Sequence, residues 1–177
     1  MLRSARAAAA VAAAATALAS GMGCAAVALE RDHGLRFLSP PEGARVTLPL
    51  VIRWKVDPQR FRPTGFDGSR SGHRGVYAVF VDSAPMRPGR HLDTLAAGDK
   101  TCQVSPGCPD ATWLADHGVY VVRRPELALR GLPVAGGRAA PGGRRHRVTV
   151  VLLDGRGVRA GEAAWSRSFV APKAQGG

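Results

Sequence analysis

Residues 46–56 read Val-Thr-Leu-Pro-Leu-Val-Ile-Arg-Trp-Lys-Val. Val46, Leu48, Leu50, Ile52, Trp54 and Val56 share one parity, and Thr47, Pro49, Val51, Arg53 and Lys55 share the other. Period-two alternation of this length, with β-branched residues and a tryptophan on the apolar side, specifies a half-buried strand. A helix would spread the even-numbered positions around its whole circumference. Pro49 has no N–H to give a ladder, so it marks an edge, a bulge or a change of sheet partner. Such a strand needs a second apolar layer to cover it, and the rest of the chain must supply that layer.

The remaining segments meet this demand. Residues 35–38 form a short strand, closed by the turn cluster Ser39-Pro40-Pro41-Glu42-Gly43. Residues 76–81 are apolar on both parities, as expected of a strand covered on both faces. Further strands are expected at residues 119–122, 127–129 and 148–153. The last runs over 164–170, after the turn Asp154-Gly155-Arg156-Gly157, with Trp165 and Phe169 on one face. Residues 57–74 and 133–145 are rich in Gly and Arg and read as long surface loops. Residues 91–98 read either as a helical turn or as a loop. Residues 110–116 read either as a helical turn opened by Asp110 or as an irregular strand. Seven short strands separated by turns imply an all-β fold, a single antiparallel β-sandwich over residues 35–170. At 177 residues the chain accommodates one ordinary domain plus a leader.

Three pieces resemble the immunoglobulin-like and fibronectin type III-like domains of bacterial exported proteins. Ser39-Pro40-Pro41-Glu42-Gly43-Ala44 looks like their Pro/Gly turn before an apolar strand, and Trp54 sits where a core tryptophan often sits. Residues 146–155 followed by 165–169 look like their terminal hairpin. The resemblance implies an immunoglobulin-like sandwich of about seven strands; function does not travel with such a match.

Residues 1–23 have the layout of a secretory signal. Arg3 and Arg6 form a positive start, residues 7–19 an uncharged Ala-dominated stretch, and small residues follow up to Cys24. Here the chain resembles a bacterial lipoprotein precursor, which implies a lipid on Cys24 and attachment to the outer face of the cell membrane or the periplasm. Gly21 and Met22 depart from that pattern. A cut after Ala19 by ordinary signal peptidase and retention of the leader as an anchor stay open. Residues 24–34 read as a flexible stem and 171–177 as a disordered tail. Cys102 and Cys108 flank a Pro-Gly turn, so a local disulfide in an oxidising compartment is the natural reading. It leaves Cys24 over, and lipidation would use it.

Charge is less informative than it looks. The net charge of +12 comes from 22 Arg and 3 Lys against 13 acidic residues, a skew that fits GC-rich coding. The arginines are scattered and have no interleaved aromatics, unlike a nucleic-acid groove, so no nucleic-acid partner is expected. Attraction to anionic envelope polymers or lipid headgroups fits better.

Motifs of catalysis are not found: there is no Gly-x-Ser-x-Gly elbow, phosphate loop, dinucleotide fingerprint or His-Glu-x-x-His. The expectation is a binding or structural module, not an enzyme, without a cofactor. One alternative competes. His33-Gly34-Leu35 through Ser39-Pro40-Pro41-Glu42-Gly43-Ala44 is similar to the start of small periplasmic copper-carrying β-sandwich proteins. That resemblance implies His33 as a copper ligand. A second histidine could come from His73, His91 or His117, with Met86 as a soft ligand for Cu(I). Asp154-Gly155-Arg156 departs from the Asp-Gly-His of that family. Among aromatics, Trp113, Phe61 and Phe66 are the candidates for contact with an envelope protein or glycan partner. Trp113 could equally cover the cysteine loop, and Phe61 and Phe66 could pack across the sandwich end.

Overall fold

The computed structural model describes residues 34–133 and 137–172, all within one compact unit. The signal segment 1–23, Cys24, the stem as far as His33 and the tail from residue 173 lie outside the described residues. Two sheets face each other. The smaller is antiparallel, with β1 (Leu35–Ser39), β3 (Leu50–Val56) and β6 (Glu126–Leu129) in the order β1-β3-β6. The larger has the order β2-β9-β8-β4-β5: β2 (Ala44–Arg45), β9 (Trp165–Ala171), β8 (Gly143–Asp154), β4 (Gly75–Val81) and β5 (Val119–Val122). A short β7 (Arg138–Ala140) also pairs with β8.

The seam between the sheets is the first core. Ile52 and Trp54 of β3 pack there with Tyr77 and Val79 of β4, Val150 of β8 and Phe169 of β9, all at most 1 % exposed. Each large apolar side chain buried this way contributes about 1.5–3 kcal/mol relative to exposure. Trp54 meets Tyr77 edge-on, with centroids 5.4 Å apart and planes at 80°, a geometry favoured by the ring quadrupoles.

The other face of the large sheet is covered too, by helical segments. A 3₁₀ turn at Leu92–Ala96, α1 (Lys100–Val104) and α2 (Ala111–Asp116) lie between β4 and β5 in the chain. Val76 and Phe80 of β4 pack with Val151 and Leu153 of β8 beneath Met86, Leu92 and Leu114. This second core explains why β4 is apolar on both parities: both of its faces are buried.

Residues 46–56 depart from the sequence expectation of one strand. Ala44 and Arg45 run parallel to β9 in the large sheet, and Val46 N donates to Val170 O at 2.9 Å. The chain then leaves that sheet, and β3 begins at Leu50 between β1 and β6. Pro49 sits at the crossing, where its missing N–H leaves no ladder bond unmade. The strands therefore number nine among the described residues, and the β2–β9 pair breaks the expected all-antiparallel order.

Three further expectations change. The long loop expected at 133–145 contains the hairpin of β7 and β8, with Arg138 opposite Arg145. Abundant Gly and Arg hid its pattern. Gly143 is required there, because a Cβ on it would lie 2.0 Å from Ala171 O. The tail does not begin at 171, since Ala171 closes β9 fully buried. The cysteine loop is not a bare turn, since α1 carries Cys102. Asp99 caps it, accepting from Thr101 N at 2.9 Å and Cys102 N at 3.0 Å. Residues 110–116 resolve to the helical alternative: α2, opened by Asp110, whose side chain accepts from Trp113 N. Cys102 and Cys108 form a disulfide with Cα atoms 5.2 Å apart.

Candidate functional site

A cleft of about 450 Å³ opens at the end of the sandwich where β3 and β8 finish and β9 begins. This lies within the size range of small-molecule pockets. Val56, Leu152, Ala163 and Trp165 supply apolar lining, and Arg60, His73 and Glu162 supply the polar groups. Gly34, just before β1, also lines it.

One wall is the loop between β3 and β4, and a buried phenylalanine pins it. Phe61, 1 % exposed, packs on Tyr77 with centroids 5.2 Å apart. Phe61 N donates to Asp57 O at 3.0 Å, turning the loop back at its start. This corrects the expectation of Phe61 as a contact residue, for it has no surface to offer. His73 is exposed on the same loop, with Nδ1 2.8 Å from Arg60 O, while its own carbonyl accepts from Arg62 N at 2.8 Å.

The opposite wall, residues 160–163, is held by Arg159, which is 6 % exposed. Its Nη1 donates to Met86 O, and its Nη2 donates to Glu162 O at 2.8 Å and Ala163 O at 3.2 Å. Three carbonyls thus surround the guanidinium. Burial pulls its pKa down from the usual arginine value, against an opposing pull from Glu162. Ala160 N donates to Leu152 O at 2.8 Å, continuing the wall from β8. An apolar floor with a few polar groups can hold a small amphipathic molecule.

The other sequence candidates are dispersed. Met86 is 5 % exposed in the second core. His91 sits with Nε2 2.7 Å from Arg156 O, and its Nδ1 accepts from Asp93 N at 3.2 Å. His117 stacks on Trp113 at 3.8 Å and 19°, with Nδ1 2.7 Å from Trp113 O. Among the described residues no group of three or more His, Cys, Asp or Glu is placed to hold a metal ion. Phe66 is exposed at 57 %, close to where a Cβ on Gly157 would stand. Trp113 is half-buried against the second core, and its indole N–H donates to Asp99 Oδ2 at 2.8 Å. Trp113 is thus tied through Asp99 to the helix that carries Cys102. Cys24 and His33 lie outside the described residues.

Sequence reasoning missed a buried Asp82–His146 pair. Asp82 Oδ2 lies 2.6 Å from His146 Nδ1, and the two side chains are 7 % and 4 % exposed. Asp82 adopts φ 57, a left-handed conformation that Asp tolerates better than most residues. Its Oδ1 accepts from Arg147 N at 2.9 Å, and His146 stacks on Phe169. The pair ties the end of β4 to β8. Only the polar residue His146 in front of an apolar strand hinted at it, and nothing local named its partner.

No family model matches the chain, and neither a curated protein nor a solved structure matches it significantly.

Proposed function

We propose that this chain is an exported, non-catalytic binding module of the bacterial cell envelope, anchored by a lipid on Cys24 and built on an immunoglobulin-like sandwich. The observation that carries the reading is the Cys102–Cys108 disulfide. Such cross-links persist in oxidising compartments, and the leader-like residues 1–23 supply the route there. The end cleft supports binding, since it offers apolar lining with Arg60, His73 and Glu162 to orient a ligand. One lipid chain binds a membrane only marginally, so the basic character of the domain would assist. Intact mass and detergent partitioning test the anchor, comparing wild type with Cys24→Ala in a lipoprotein-competent bacterium. A lipid-sized mass increment and partitioning that the substitution abolishes support it; a soluble mature protein starting at Ser20 refutes it.

A periplasmic copper-binding protein is the second reading. In its favour, His73 and Gly34, the residue after His33, line the same cleft. Met86 does not fit a ligand role, because its side chain is packed in the second core. The reading therefore rests on His33 and His73. Copper titration of wild type beside His73→Ala decides it: unchanged affinity removes His73 from the site.

A further inference from the structure

Four arginines share one face of the large sheet. Arg45 of β2 is in register with Val170 of β9, Val170 with Arg145 of β8, and Arg145 with Arg138 of β7. Partners in register project to the same side of a sheet. Arg45, Val170, Arg145 and Arg138 therefore form one row across adjacent strands, each strand about 4.8 Å from the next. Arg147 lies two residues along β8, on the same face. All four arginines are exposed. Val170 between them is 7 % exposed, as expected where arginine stems lie along an apolar neighbour. Arg45 reaches along the row, its Cζ 3.2 Å from where a Cβ on Gly142 would stand. The helical segments cover the part of this face around Phe80 and Val151.

Like charges directly opposite each other destabilise a sheet, so Arg138 facing Arg145 is a local cost. Of the nearby carboxylates, Glu42 is felt by the row, since after the Ser168 hydroxyl Arg145 helps to hold its pKa down, but it is shared with other partners. Glu42 accepts from Ser168 Oγ and from Ser168 N at 3.1 Å, and stands 3.8 Å from Arg167 Nε. Asp82 is held by His146 and Arg147 N.

We propose that this row binds a linear phosphate-bearing polymer lying across the strands. The row sets guanidiniums two strand spacings apart across Val170 and one apart between Arg145 and Arg138, and each can give paired hydrogen bonds to a phosphate along an extended polymer. Placement favours a polymer over the bilayer. Gly34 and Val56 are at the cleft end, whereas the row lies at the start of β8 and the end of β9. From Arg145 to Leu152, strand rise separates the two ends by about 20 Å or more. A domain held from its N-terminal end would thus turn the row away from the surface that holds it. The choice of a polymer over the bilayer rests on the proposed attachment through the N-terminal end, whereas charge recognition by the row rests only on the register of Arg45, Arg145 and Arg138.

Titrating the full chain with long-chain polyphosphate over a range of salt concentrations tests it. Wild type should bind, and R45Q/R138Q/R145Q should lose about tenfold in affinity and flatten the log–log salt slope by about 2. R36Q/R87Q/R130Q removes the same charge from exposed positions off the row and should retain affinity. Thermal denaturation of both variants checks folding. Absent binding by wild type, or equal loss in both variants, overturns the proposal. So does binding to phosphatidylglycerol-rich vesicles that polyphosphate fails to displace, which assigns the face to a bilayer.

Discussion

The indole N–H of Trp113 donates to Asp99 Oδ2 at 2.8 Å, while Asp99 Oδ1 caps the helix that carries Cys102. One carboxylate thus joins α2 to the disulfide segment. The Trp113 donation is the main force holding the Asp99 carboxyl below its usual range, followed by Cys102 N. Trp113→Phe keeps a ring for His117 to stack on but removes the donor, and should lower the urea midpoint. Asp99→Ala should lower it further, because the cap is lost as well. Equal midpoints for the two variants would show that the cap contributes nothing.

The disulfide closes a short loop, with a sequence separation of 6. In the chain-entropy description its removal costs about 2 kcal/mol. Cys102→Ser/Cys108→Ser should lose about that much in denaturant unfolding. Non-reducing peptide mapping should recover the two cysteines in one linked fragment; a free thiol at either position is the contrary result.

Trp54 is 1 % exposed at the seam. Trp54→Ala should cost about 3–5 kcal/mol. Its Nε1 has no hydrogen-bond partner among the described residues, so Trp54→Phe forfeits volume but no bond and should cost clearly less. Near-wild-type stability of Trp54→Ala would remove this residue from the core.

Burial pushes the Tyr77 hydroxyl up to about 12. Below about pH 10 the phenol is neutral in both folded and unfolded chains, so it adds no pH dependence there. Between about 10 and 12 the unfolded chain releases this proton first, so stability falls as pH rises. Tyr120 is raised as well, by burial and then by Asp116. Tyrosinate absorbance should therefore appear late, and Tyr77→Phe should remove its most alkaline phase. A first phase near the free-tyrosine value in the folded protein, lost in Tyr77→Phe, would contradict this environment.

The sequence displayed the fold where side-chain pattern alone determines placement. The alternation at Leu50, Ile52 and Trp54 announced a half-buried strand, and the double-sided apolarity of residues 76–81 announced two covers. It was silent where placement depends on distant partners. Ala44 and Arg45 look continuous with β3, but they pair with β9, more than a hundred residues along the chain. The Arg138–Arg145 hairpin carries no apolar period, because it pairs Arg-Ala-Ala with Gly-Arg-Arg over only three positions. In the cleft, His73 was visible as a residue type. Arg159, which shapes the wall, was one arginine among many until its burial set it apart.

The two covers of the large sheet differ in kind. On one side lies another sheet, laced by ladders between strands distant in the chain. On the other lie short helical pieces from one continuous stretch, tied by a cystine and a few caps. Such a stretch can lift away as a unit while the seam beneath stays shut. Amide hydrogens of α1 and α2 should then exchange together and well before those of β3, giving the molecule one rind that breathes and one keel that does not.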